Sequence, residues 1–459
     1  MLSQARQKYN KHAFKNIPNF GNLELSSNAT GIPNEKNSKR IDKMKHPKMQ
    51  FTYVGIDSHK HTHTAVFLDC FFEKLGEITF DNLPSKFCEF LNDAQKFQAD
   101  GTTFLFGLED TSSYGRTLTV FLNDNCQQVK HVNALLVARE RKIRNIIEKT
   151  DSVDAECAAR VLLSKFGELP DAIPDDKFYI LRTLVMRRNF ILRNNVALKN
   201  HLHSILTQHY PSYDKFFPDI YSMSALAFFY EYPSPSSLEN VSVDELTVVL
   251  QNASNGNVGK KKAEQILSGI ENVSIQFQEI RDEAVRSTLR QIRTNLNEIE
   301  HTEISMGKLL EQFDCTLTSM NGIDTVTACQ MLSCIGDIKK FSTPAKLARY
   351  SGIAPVTYAS GQRDLQFANQ RGNRELNSIF YMLAMRFACV LGENKRQFNP
   401  FFYEYYHRKI SEGKTKRQAL KCVQRRLVNI IWTMLTRNEE YINPPMIELP
   451  EEENEENSK

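Results

Sequence analysis

Four carboxylates stand at positions suited to holding a cation against a phosphate. Asp57 closes the apolar run "YVGID" and Glu109 closes "TFLFGLE". Asp151 and Asp154 lie three residues apart in "KTDSVDAECAARVLL". The two apolar runs read as buried strands. In a mixed α/β sheet, a carboxylate at the C-terminal end of a strand lies at the edge where ligands collect. If the two strands are neighbours, Asp57 and Glu109 share one crevice. On a helix, an i,i+3 pair shares a face. Val153, Cys157 and Val161 form the adjoining apolar stripe that would dock that helix on the sheet. Four converging carboxylates repel one another, and a hard divalent cation such as Mg²⁺ removes the repulsion because it prefers oxygen ligands. Two such ions, about 4 Å apart, can stabilise both oxygens of a phosphoryl displacement.

The same residues admit other readings. Actin-like kinases also start "VGID", but they add Gly-rich phosphate loops such as DxGT, and "DSHKHTH" has none. Asp151 can serve as a helix cap, with Asp154 completing a capping box. Glu148 and Asp110 are neighbouring carboxylates that compete for the ligand role. His59, His61 and His63 alternate along an extended segment and could face one way, as a polar rim near a phosphate or as zinc ligands. No cysteine pair or second histidine cluster supports zinc.

Far along the chain, "TYASGQ" places Ser360 before a glycine. A serine in such a turn can be approached closely by a phosphate. A hydroxyl alone is a weak nucleophile and needs activation; the nearest histidine in sequence is His407. "MNGIDTVTA" reads as a Gly turn at Gly322 between helices, able to offer backbone N–H groups to a phosphate. Lys339, Lys340, Lys346, Arg363, Arg371, Arg374 and the "KTKRQALKCVQRR" helix extend a basic surface around it. Such contacts give salt-dependent affinity without base readout.

The elements that must position these groups follow from periodicity. Residues 1–48 are polar, without period, and read as a disordered extension. Residues 49–170 read as an α/β domain, with strands over 51–57, 64–69, 75–81 and 103–108 and helices between and after them. Residues 175–314 hold two heptad runs. Leu181, Leu184, Arg188, Ile191, Asn195, Leu198, Leu202 and Ile205 form the first, and Leu289 to Phe313 the second. These predict an antiparallel coiled-coil arm carrying an insert, with register fixed by polar seam positions. Residues 315–440 predict a helical domain. Within it Thr343 caps a helix beginning at Pro344, and Asn373 caps a long apolar helix. Residues 441–459 form an acidic tail.

Charge is unevenly distributed. Residues 315–440 carry 19 Lys/Arg against 9 Asp/Glu, and residues 441–459 carry six Glu against one Lys. A basic domain with an acidic tail fits a polyanionic partner such as nucleic acid. Nine scattered cysteines without a CxxC pair fit a reduced, cytosolic protein. No apolar leader opens the chain, and no stretch is long enough to span a membrane.

"YVGIDSHKHTHTAVFLD", "GLED" and "KTDSVDAECAARVL", in that order, resemble the N-terminal half of the DEDD transposases of bacterial insertion sequences. "LVMRRNFILRNNVALKNHLHSIL" resembles that family's coiled-coil entry. "GIDTVTACQMLSCIGDIKKFSTPAKLARYSGIAPVTYASGQ" and "NQRGNRELNSIFYMLA" resemble its C-terminal transposase domain. The resemblance implies a RuvC-like, ribonuclease H-like fold in which Asp57, Glu109, Asp151 and Asp154 bind Mg²⁺ or Mn²⁺. It implies that Ser360 is the nucleophile, that DNA is cut and rejoined, and that a structured bridge RNA chooses donor and target. Serine and carboxylates far apart in sequence suggest a composite site in a homo-oligomer, a dimer or tetramer. A metal-dependent junction resolvase using water and a non-catalytic nucleic-acid-binding remnant of a mobile element are the alternatives.

Overall fold

The computed structural model describes residues 46–109, 113–172, 175–271, 276–360, 363–391 and 396–442. Residues 1–45 of the expected disordered extension and nearly all of the acidic tail lie outside them, while Pro47–Gln50 form a 3-10 turn. The chain divides into two compact units between Ala172 and Ile173.

The first unit is a mixed sheet covered on both faces. Its elements are β1 (Phe51–Ser58), β2 (Thr62–Leu68), β3 (Lys74–Asp81), α1 (Pro84–Ala94), β4 (Thr103–Leu108), α2 (Arg116–Asp124), β5 (Gln128–His131), α3 (Ala134–Ile143) and α4 (Asp151–Ser164). The strand order is β3-β2-β1-β4-β5. The β1–β2 and β2–β3 pairs are antiparallel, whereas β1–β4 and β4–β5 are parallel. β1 is central, so it is apolar on both sides. Val54 and Ile56 pack with Phe104, Phe106 and the α1 rings Phe87 and Phe90. Tyr53, on the opposite face, packs with Leu105 and the α4 residues Ala155, Ala159 and Leu162. Alternation along the strand therefore directs positions 53, 55 and 57 toward α4.

Gly55 sets the distance of that helix. A Cβ at position 55 would lie 2.1 Å from the Ala155 carbonyl oxygen and 2.2 Å from the Ala159 nitrogen. α4 thus rests on the bare backbone of β1, and its own contact residues are alanines. The expected strands match in place. α3 was not expected, since Val137 is its sole buried residue and leaves little apolar period to read.

The second unit is helical. α5 (Asp176–His209) is followed by α6 (Tyr213–Phe216), α7 (Met223–Glu231), α8 (Val243–Ser254), α9 (Lys260–Ser268) and α10 (Gln278–Leu310). α5 and α10 run antiparallel. Arg188 Nε lies 2.6 Å from Glu303 Oε1, Asn195 Oδ1 accepts from Asn295 Nδ2 at 3.5 Å, and Arg281 lies 3.0 Å from His209 Nε2. The two polar positions read in the first heptad run thus face polar partners. Near their closed end, Leu202, Leu206, Val285 and Leu289 share a core with Tyr210, Phe228 and Phe229. Toward the other end, Leu181, Val185 and Met306 belong to a second core.

That core is completed by α11 (Thr325–Ile335), α12 (Pro344–Tyr350), α13 (Arg374–Ala388), α14 (Pro400–Ser411) and α15 (Lys416–Arg437). Thr343 and Asn373 cap α12 and α13 as expected, accepting from the Lys346 and Leu376 nitrogens. Two expectations need correction. The segment before Gly322 is a single 3-10 turn, Leu317–Ser319, so the turn does not join two α-helices. The domain is also not purely helical: a hairpin of β6 (Val356–Ser360) and β7 (Arg363–Phe367) and a short one of β8 (Val390–Leu391) and β9 (Arg396–Gln397) interrupt it. Among the described residues no helix is long and apolar enough to cross a membrane.

Candidate metal centre

Asp57 is the penultimate residue of β1, on the face that meets α4. Gly55, two residues earlier, brings α4 down, so the first turn of the helix reaches the end of the strand. Thr150 caps that turn, its Oγ1 accepting from the Val153 nitrogen. The capping role considered for Asp151 therefore belongs to Thr150, and both aspartates sit in the first helical turn. Negative charge is favourable there because the helix dipole presents its positive end.

His59 ties the two elements together. Its Nε2 lies 3.2 Å from Asp57 Oδ2 and 3.1 Å from Asp151 Oδ1. Among the described residues, Asp57, His59 and Asp151 offer ligand atoms that all lie within 4.8 Å of one another. Asp57 is the enclosed member, 15% exposed, whereas His59 and Asp151 are about half exposed at 51% and 55%. Burial raises the Asp57 carboxyl above its ordinary value. The charge on His59 opposes that rise, and Asp151 and Asp154 add to it. The mixed carboxylate–imidazole donors of the cluster suit a divalent ion.

Asp154 is buried, and Arg141 from α3 holds it: Arg141 Nη1 lies 2.5 Å from Asp154 Oδ1. Glu156 adds a tie to the end of α3, at 2.9 Å from Arg144, and pairs within α4 with Arg160, also at 2.9 Å. Glu109 follows the last paired residue of β4. Ile56 pairs with Leu108, so Glu109 stands in register with Asp57 on the neighbouring parallel strand and is half-buried. Asp57 and Asp151 therefore converge, while Asp154 turns to an arginine and Glu109 lies at the adjoining strand end.

The three histidines do not face one way. His63 is buried in β2 against the Phe80 and Phe87 rings, on the face away from α4. His59 alone of the three joins the carboxylates. Its signal is the two-residue step from Asp57 in "IDSH", which fits a polar rim as well as a ligand. Asp110 lies outside the described residues.

Two family models match the chain in order: a DEDD model described as "Transposase" over residues 54–211, and "Transposase IS116/IS110/IS902 family" over residues 315–401. The chain belongs to this transposase family. Relatives match at near full length. The uncharacterized 44.8 kDa protein of insertion element IS116 from Streptomyces clavuligerus is 24% identical, over 83% of this chain and 94% of its own. The uncharacterized 43.6 kDa protein of insertion element IS110 from Streptomyces coelicolor is 26% identical, over 78% and 84%. A pilin gene-inverting protein of Moraxella bovis is 24% identical, over 85% and 97%.

Within the transposase-family match, Ser360 is the last residue of β6, paired with Arg363 of β7. Gly361 and Gln362, and the side chains of Ser360 and Arg363, lie outside the described residues. Lys339, Lys340, Lys346, Arg371 and Arg374 are all exposed. Gly322 has a packing reason: it holds φ +100°, a Cβ there would lie 2.4 Å from the Phe387 ring, and its carbonyl accepts from Arg386 at 2.5 Å. Asp324 caps α11 with its carboxylate, which occupies the helix end that a phosphate would need.

Proposed function

We propose that this chain is the transposase of an insertion element that cuts and rejoins DNA through Ser360, with Asp57, Glu109, Asp151 and Asp154 holding the divalent cation. The convergence of strand-end Asp57 with helix-start Asp151 carries this reading, because a glycine at position 55 is what brings the two elements into contact. The antiparallel neighbours β2 and β3, the parallel neighbours β4 and β5 and a helix laid across β1 support a RuvC-like fold, and the paired α5 and α10 support a coiled-coil arm. A relative named for inverting a pilin gene supports strand exchange rather than simple hydrolysis.

A Mg²⁺ or Mn²⁺ ion bound there would offset charge on the oxygens of the displacement. The Ser360 hydroxyl gives up its proton as its Oγ attacks phosphorus, one P–O bond breaks and releases that strand end as a hydroxyl, and the other strand end stays joined to Ser360 as a phosphodiester until a second strand's hydroxyl displaces the serine. The exposed Lys339, Lys340, Lys346, Arg371 and Arg374 bind backbone phosphates of DNA and of a guiding bridge RNA, and the protein works as a homo-oligomer.

A nicked suicide substrate tests the nucleophile. Wild type yields a nucleotide-linked peptide containing Ser360 by mass spectrometry, and Ser360→Ala binds DNA but yields none. An adduct on Tyr358 or Ser351 moves the nucleophile. Cleavage without any adduct makes water the nucleophile and the protein a resolvase-type nuclease.

A further inference from the structure

We propose that His59 is a ligand of the cation held by Asp57 and Asp151, which gives this centre a transition-metal preference that four carboxylates alone would not have. The inference rests on the metal-site reading above and deepens it. Its basis is the spacing. Ligand atoms at right angles around an ion with bonds of about 2.1 Å stand about 3.0 Å apart. His59 Nε2 stands 3.2 Å from Asp57 Oδ2 and 3.1 Å from Asp151 Oδ1. An imidazole nitrogen carries at most one hydrogen. It can therefore donate squarely to only one of these oxygens, whereas an ion bound among the three ligand atoms, which all lie within 4.8 Å of one another, can take all of them.

The residue is also held in place. The His59 backbone nitrogen donates to the Thr62 carbonyl at 3.0 Å, and the Asn82 side chain donates to the His59 carbonyl at 3.2 Å. The imidazole thus projects from a pinned turn between β1 and β2 and sits over the cluster. Imidazole nitrogen suits the later transition metals best, and Mn²⁺, the first of that series, accepts it more readily than Mg²⁺, which favours oxygen. Removing it therefore weakens Mn²⁺ binding more than Mg²⁺ binding.

The full chain is titrated with Mn²⁺ alone, following free ion by electron paramagnetic resonance and ¹⁴N coupling by pulsed methods; Mg²⁺ is then added as competitor. Wild type shows ¹⁴N coupling. His59→Ala loses it and binds Mn²⁺ at least about 10-fold more weakly, the lower bound set by residues that only orient a ligand, with a smaller loss of Mg²⁺ affinity. His59→Gln, which restores an oxygen donor, binds both ions without ¹⁴N coupling and controls for a folding defect. Wild type binding Mn²⁺ without ¹⁴N coupling, or coupling that survives in His59→Ala, overturns the inference and leaves an all-carboxylate site. Mn²⁺ binding that is equally poor in wild type and Asp57→Asn removes the metal centre itself, and both readings fall.

Discussion

Replacing Gly55 by alanine adds one methyl group and should disable the centre without touching a ligand. The new Cβ would sit 2.1 Å from the Ala155 carbonyl oxygen, where ordinary contact begins at 3.4 Å. α4 must therefore retreat by about 1.3 Å, because the obstacle is helix backbone and cannot rotate aside. Overpacking of this kind costs about 1–3 kcal/mol, which for a unit of this size lowers the unfolding midpoint by roughly 4–12 °C. The retreat carries Asp151 and Asp154 away from Asp57. A misplacement of about 1 Å in a reacting site costs on the order of 100-fold in rate. Gly107→Ala is the control: its Cβ would meet the Val132 Cγ2 and Leu162 Cδ2 atoms, at 2.9 and 3.1 Å, and both are side-chain ends that can yield. That variant should lose about 1 kcal/mol, at the low end of the range. Thermal unfolding with and without Mn²⁺, together with Mn²⁺ titration, reads both effects. A Gly55→Ala protein with wild-type metal affinity would show that strand–helix contact does not set the site.

Two further outcomes follow from the charges around it. Asp57 binds its proton more tightly folded than unfolded, so in the metal-free protein its contribution to stability falls as pH rises from the ordinary 3.8 through its raised folded value; Asp57→Asn should remove that fall and unfold at a higher temperature at neutral pH, and equal pH profiles by calorimetry would refute the cause assigned. Arg141→Ala strands the buried Asp154 carboxylate and should cost about 1–3 kcal/mol without metal, yet bind Mn²⁺ more tightly, since a competitor for that oxygen is gone; weaker binding would make the arginine a support of the site.

The sheet was legible because β1 and β4 are unbroken apolar runs that end in carboxylates, and burial on both faces leaves no other place for them. Asp151 and Asp154 were legible from their spacing above an apolar stripe. Arg141 was not. It acts across 13 residues from α3, a helix with one buried residue, and no local pattern announces a partner that only tertiary packing supplies. His59 was visible but misplaced, since alternation put it with His63, whereas the chain leaves the strand at Ser58 and breaks the alternation. The β6–β7 hairpin was read only as a Ser-Gly turn, although "VTYAS" and "RDLQF" on either side of two residues carry the hairpin signal.

The two cores threaded by α5 and α10 also impose an order on the newborn chain. The sheet unit is closed by residue 172, so it can fold while the rest is still being synthesised. α5 emerges next with Leu181 and Val185 uncovered, and their partners reach as far as Met434. The first aspartates can thus meet early, but the unit that carries Ser360 cannot close until almost the last helix has left the ribosome. A truncated or stalled product would hold the carboxylates in place and still lack the assembled half that bears the serine.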